Sequence, residues 1–182
     1  MIPGLNSFNG HLPPGRWPCT LTEVEETFVR GLDPVRASHW NDFTNALDLL
    51  KTAAPVSRVW LGGSFISGKE QPGDVDAVFF VRYKHVVIAQ KDPEKARILD
   101  AFTLGHGFRE VTGLQVDTFV ITWALDPPGE GGNEAVGNYY FRRGQWDDFW
   151  ERCRSGAKNA PPIEPDAYQR RGYLEVKIDG NV

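Results

Sequence analysis

The chain has 182 residues with 41% hydrophobic and 24% charged side chains, a composition close to the globular average that excludes a collagen-like or disordered chain. No apolar run reaches the roughly 18–20 residues needed to span a bilayer, and the opening lacks the basic start and apolar stretch of a signal peptide, so the expectation is a soluble, cytoplasmic protein with no membrane partner. The net charge of −4 supplies no global attraction for nucleic acid, and Cys19 and Cys153 form neither a C-x-x-C pair nor a disulfide framework, which leaves buried thiols as the plain reading.

Taken in chain order, residues 1–16 are rich in Gly, Pro and Asn and read as an extended arm. Thr20 and Glu23 form a capping box for a helix to about Arg30. Asp33 caps a second helix that starts at Pro34, with Trp40, Phe43, Leu47 and Leu50 on one face to about Thr52. Two helices are therefore expected before any strand. Val56 to Leu61 is an apolar run ending at Gly62-Gly63 and reads as a buried strand. Gln71-Pro72-Gly73-Asp74 reads as a turn that needs a positive φ at Gly73. Val75 to Val81 forms a second strand, Asp92 to Leu104 a helix, and Leu114 to Trp123 a third strand. Asp126 to Gly137, with two prolines and four glycines, reads as an exposed loop. Gln145 to Arg154 returns to helix with Trp146, Phe149, Trp150 and Cys153 on one face, and a loop from Ser155 to Pro165 leads to a last strand around Tyr173 to Ile178. The order predicts one α/β (α+β) unit over 1–182, with an arm (1–16), N-terminal helices (17–55), a core (56–123) and a C-terminal helix and strand (138–182): a mixed β-sheet flanked by helices.

The chemistry concentrates between Leu61 and Phe79. Side chains two apart on a strand point the same way, so Asp74 and Asp76 present two carboxylates on one face, about 7 Å apart along the backbone. Paired hard oxygens suit Mg²⁺ or Mn²⁺, with water and phosphate completing the shell. Asp-x-Asp arises by accident about once in a chain with 13 Asp, but Gly-Ser followed within about six allowed spacings by Asp-x-Asp is expected only about 0.02 times, before a strand is demanded ahead of each half. Gly62, Gly63 and Ser64 follow a strand, where glycine lets a ligand approach the backbone and the N–H groups of a following helical turn can hold phosphate; the alternative is a tight turn with no ligand. Asp117, an acid inside an apolar strand, needs a cation or strong donors, either as the third ligand of a metal site or as the partner of an arginine. Three carboxylates and two divalent ions suit in-line displacement at phosphorus.

Gly63-Ser64, then Asp74-Val75-Asp76 and a later strand-borne Asp117, resemble the polymerase-beta-type nucleotidyltransferase superfamily, in particular its small stand-alone bacterial members. Leu12-Pro13-Pro14-Gly15 and Val59 to Phe65 are similar to an uncharacterised subgroup of these. The resemblance is specific over Val56 to Val81 and looser to Ile121. It implies a nucleotidyltransferase-like mixed sheet with flanking helices, an NTP donor such as ATP, Mg²⁺ (or Mn²⁺), and action beside a toxin or antitoxin. It further implies Asp74, Asp76 and Asp117 as metal ligands, with Asp117 a candidate base, and Gly63 and Ser64 as phosphate holders. Many minimal relatives carry Arg directly after Gly-Ser; Phe65 stands there in this chain, leaving Lys69 as the nearest cation for phosphate.

Other readings compete with this one. Gly63-x-x-x-x-Gly68-Lys69 nearly completes a P-loop, but Glu70 replaces the Ser or Thr that ligates Mg²⁺ and Pro72 blocks the helix that must follow. Tyr139 to Arg143, with Trp146, Trp150, Arg152 and Arg154, interleaves aromatics and cations as single-strand-binding surfaces do, although helical spacing favours a core helix with a basic outer face, able to hold a protein or tRNA-like RNA acceptor. His11, His39, His85 and His106 lack metal-ligand spacing and read as surface or satisfied histidines. The expected activity is transfer of a nucleoside monophosphate from an NTP to a protein or RNA with release of pyrophosphate; the alternative is a silent fold of this type used as a binding module.

Overall fold

The computed structural model describes residues 1–125, 132–157 and 160–178. Its elements run β1 (Gly15–Cys19), α1 (Leu21–Phe28), α2 (Pro34–Ala53), β2 (Val56–Gly62), β3 (Val75–Arg82), α3 (Tyr83–Ala89), α4 (Pro93–Ala101), α5 (Gly107–Thr112), β4 (Val116–Trp123), α6 (Gly132–Glu151), a 3-10 turn (Glu164–Ala167) and β5 (Gly172–Lys177). The result is a mixed α/β fold on one five-stranded sheet of order β1-β5-β2-β3-β4. β1 and β5 are parallel, as are β3 and β4, while β2 runs antiparallel to both β5 and β3. Among the described residues no helix is long and apolar enough to cross a membrane.

Local chemistry accounts for the first helices. Thr20 Oγ1 accepts from the Glu23 N–H at 3.2 Å and the Glu23 carboxylate accepts from the Thr20 N–H at 2.8 Å, the reciprocal box that starts α1. Asp33 accepts from the Val35 N–H at 2.8 Å, and Pro34 supplies the fixed φ of the first position of α2. Trp40, Phe43, Leu47 and Leu50 are all buried, as their spacing predicts.

The period-two alternation of β3 and β4 divides the core into two layers. Phe79 meets Phe43 of α2 and stands edge-on to Phe102, which continues to Phe108. On the opposite face Phe119 meets Trp146 of α6, and Trp150 packs on Tyr173 of β5. The sheet thus lies between α2 and α4 on one side and α6 on the other. Val78 pairs in register with Phe119 and Asp76 with Asp117, so both acids point toward the α6 layer, at the end of the sheet where β3 and β4 begin.

Several sequence expectations require correction. The arm is anchored: Leu12 is only 1% exposed, and the chain from Gly15 is an edge strand, so one strand precedes the helices. Gly73 lies outside the left-handed region, and the turn before Asp74 has no positive φ. α3 and α5 are additional short helices. α6 begins at Gly132, inside the segment expected to be a loop, whose residues 126–131 lie outside the described residues. Phe149 is 56% exposed and not part of the core-facing stripe, which here has buried Trp150 with half-buried Trp146 and Tyr139. Cys153 lies beyond the end of α6 and is half-buried, whereas Cys19 is buried.

Candidate active site

Parallel pairing of β3 and β4 sets Asp76 directly beside Asp117, on one face and in one register. Asp74 lies two residues before Asp76, just outside the strand. Crowding and burial act on the group. Burial, then Asp74 and Asp117, push the Asp76 carboxyl up to about 6, against a smaller opposite pull from Arg171 and His106. Asp117, 1% exposed, is also raised, first by burial, although Arg109 pulls the other way.

Two residues of the segment around α5 meet these acids. Arg109 spans two of them, with Nη1 3.2 Å from Asp74 Oδ2 and Nη2 2.8 Å from Asp117 Oδ1. The second contact has the distance of an ion pair but not the alignment of a hydrogen bond, so Asp117 Oδ1 is a buried acceptor without an aligned donor. His106 places Nδ1 against Asp117 Oδ2 and 2.9 Å from Arg109 Nη2. That nitrogen can donate to the carboxylate or accept from the guanidinium, but one proton decides between them. Arg171 adds positive potential from β5's side; its Nε donates to the Trp150 carbonyl at 2.9 Å, and burial lowers its pKa.

The loop after β2 explains its glycines by close approach. Gly63 has φ +69°, and a Cβ there would stand 1.7 Å from Asp76 Oδ2, so the Asp76 carboxylate lies directly on this glycine. A Cβ on Gly62 would meet the Trp150 ring at 2.5 Å. A turn closes at Ser64 to Ser67, where a helical turn is expected, and does not continue into a helix. Residues 63–68 form turns in which the Ser67 N–H and Oγ both donate to the Ser64 carbonyl, at 3.2 and 2.7 Å. Ser64 is half-buried and Lys69 exposed. Phe65, which directly follows Gly63-Ser64, is fully buried and stacks on Trp40 at 6.1 Å.

Arg36, 3% exposed on α2, holds the carbonyl side of this loop. It donates to the carbonyls of Phe65 at 2.7 Å, Ser67 at 2.8 Å, Phe28 at 3.1 Å and Glu70 at 3.3 Å, and to that of Lys69. With those carbonyls gathered on one buried cation, the loop's shape is set from beneath.

The fold therefore unites Asp74, Asp76 and Asp117 with Gly62 and Gly63, and adds Arg109, His106 and Arg171, which spacing along the chain did not single out for the site. Arg109 lies eight residues before Asp117 in a six-residue helix, too short for a periodic signal. Among the described residues, no three His, Cys, Asp or Glu side chains are drawn together closely enough to hold a metal ion; Arg109 occupies the bridge between Asp74 and Asp117. The donor chemistry nevertheless suits a hard cation. Asp117 offers a buried oxygen without an aligned donor, and Asp76 bears a carboxyl that burial and its acidic neighbours hold toward protonation; a divalent ion would relieve both.

No curated protein and no solved structure matches the chain. A family described as a family of unknown function, DUF6932, matches residues 3–177. That span takes in β1, the glycine loop, all three acids and β5. The chain belongs to the DUF6932 family.

Proposed function

We propose that the protein is a divalent-metal-dependent nucleotidyltransferase that moves a nucleoside monophosphate from an NTP, ATP in the first instance, to a hydroxyl of a protein or RNA. One observation carries the reading: Asp76 and Asp117 stand side by side on parallel strands with Asp74 two residues away and the bare backbone of Gly63 against the Asp76 carboxylate. Asp74, Asp76 and Asp117 would hold Mg²⁺ or Mn²⁺, which supplies charge for the triphosphate and acidifies the attacking hydroxyl. The acceptor oxygen bonds to the α-phosphorus, the bond to the bridging oxygen of the β-phosphate breaks, and pyrophosphate leaves. Asp117 takes the hydroxyl proton as the candidate base, and His106, 76% exposed and touching Asp117 Oδ2, carries it to water. The exposed aromatics Tyr140 and Phe141 on α6, beside Arg142, suit contact with a macromolecule better than enclosure of a small acceptor.

The test is incubation of the protein with each labelled NTP, Mg²⁺ or Mn²⁺, and lysate or tRNA, beside D74N/D76N. Label on a protein or RNA band in the wild-type lane alone supports transfer. The bridging of Asp74 and Asp117 by Arg109 favours a second reading, a silent scaffold with internally neutralised acids. Absence of label from all four NTPs, with no divalent ion bound, selects it.

A further inference from the structure

We infer that Arg109 is the site's phosphate-binding cation, held on Asp74 and Asp117 in the free protein and transferred to the triphosphate when a divalent ion takes those carboxylates. This rests on the nucleotidyltransferase reading and assigns the cation that the sequence leaves missing after Gly63-Ser64. Other cations near the loop are less suited. Lys69 is exposed, Arg36 is committed to five carbonyls, and Arg171 is bonded to the Trp150 carbonyl. Arg109 is already at the acids, its two terminal nitrogens 3.2 and 2.8 Å from two carboxylates, and a planar fork suits two phosphate oxygens.

The contacts are suited to exchange. The Asp74 half of the bridge is partly solvated, with side chains 27% and 22% exposed, so little is lost in parting it. The Asp117 half lies on a buried oxygen but lacks hydrogen-bond alignment. A guanidinium there neutralises charge without an N–H aligned on that oxygen. α5 is flanked by Gly105 at φ +59° and Gly113 at φ +76°, so the six-residue segment bearing Arg109 joins its neighbours through two backbone positions suited to glycine.

The inference requires opposite effects on two ligands. Calorimetric titration of Mn²⁺ alone into R109Q should give affinity about tenfold tighter than wild type, because the competing internal cation is gone and the open state is the ground state. Titration of an α,β-methylene ATP analogue at saturating Mn²⁺ should give affinity about tenfold weaker, because a charge-assisted phosphate contact is lost. R109K, which keeps the charge but not the fork, should fall between wild type and R109Q in both titrations and provides the control should R109Q fold poorly. Loss of both affinities in R109Q and R109K marks Arg109 as structural and overturns the inference. Equal binding of both ligands by wild type and R109Q overturns it while leaving the nucleotidyltransferase reading intact. No binding of Mn²⁺ or analogue by any variant removes that reading, and the inference with it.

Discussion

Asp76 shows what a carboxyl buried beside other acids costs a fold. Its carboxyl is pushed up to about 6 by burial and by two neighbouring acids. An acid raised in the folded state is protonated in both states at low pH and imposes no penalty there. As pH rises from the unfolded value toward the folded one, the unfolded chain ionises first and stability falls. Above the folded value near 6 the full cost applies, roughly 3 kcal/mol at most. Metal-free Asp76→Asn should therefore exceed wild type in urea-unfolding stability at pH 7.5 by about 1–3 kcal/mol, with the gap closing toward pH 4; a gap independent of pH would show that ionisation is not its source. The two thiols make a second contrast. Cys19 is buried and its thiol is pushed up to about 12, whereas half-buried Cys153 lies 3.5 Å from His11 Nε2. Iodoacetamide at pH 8 on the native protein should add one adduct, located by peptide mass spectrometry on Cys153, because only an accessible thiolate reacts.

Elements act here by shaping one another's loops. The turn region after β2 owes its course to α2, since Arg36 holds its carbonyls from below, and to α6, since Trp150 fills the space over Gly62. Arg36→Met should cost roughly 3 kcal/mol in chemical denaturation, from buried carbonyls left without a donor. Gly63→Ala combines strain at φ +69° with a clash against Asp76 Oδ2, so it should destabilise by about 2 kcal/mol or more and displace Asp76. If Gly63→Ala/Asp76→Gly recovers most of that loss, the clash dominates; if it recovers little, the φ requirement does.

Across the whole molecule, the sheet is closed on one side by its own first strand. β1 covers the edge of β5, and Arg16 joins it there, 3.3 Å from Glu175, which accepts from Trp60 Nε1 at 2.7 Å. Residues read as an arm thus complete the sheet. Deletion of residues 1–19 should expose the β5 edge and the face vacated by buried Leu12, giving a chain that elutes as aggregate in size-exclusion chromatography. A monomer with the native circular-dichroism spectrum would show that β1 is dispensable.

What the sequence by itself determined was short-range. The capping box at Thr20, the Asp33-Pro34 start, the apolar runs of β2 to β4 and the pairing of Gly-Ser with Asp-x-Asp are each set within a few residues, where local hydrogen bonds and side-chain period decide the outcome. β1 escaped that reading because a five-residue segment containing Gly15 and Pro18 has little strand signal of its own and takes its conformation from a partner about 155 residues later. α6 escaped in part because glycine lowers helix propensity around Gly132 and Gly137, while packing of Trp146 and Trp150 on the sheet lies further along. The acids were legible as residues but their electrostatics were not. The nearness of Asp76 to Asp117 depends on the parallel register of two strands, and the placing of Arg109 and His106 depends on where α5 docks against β4. Charge interactions fall with distance through space, and distance through space is fixed only when the chain has folded.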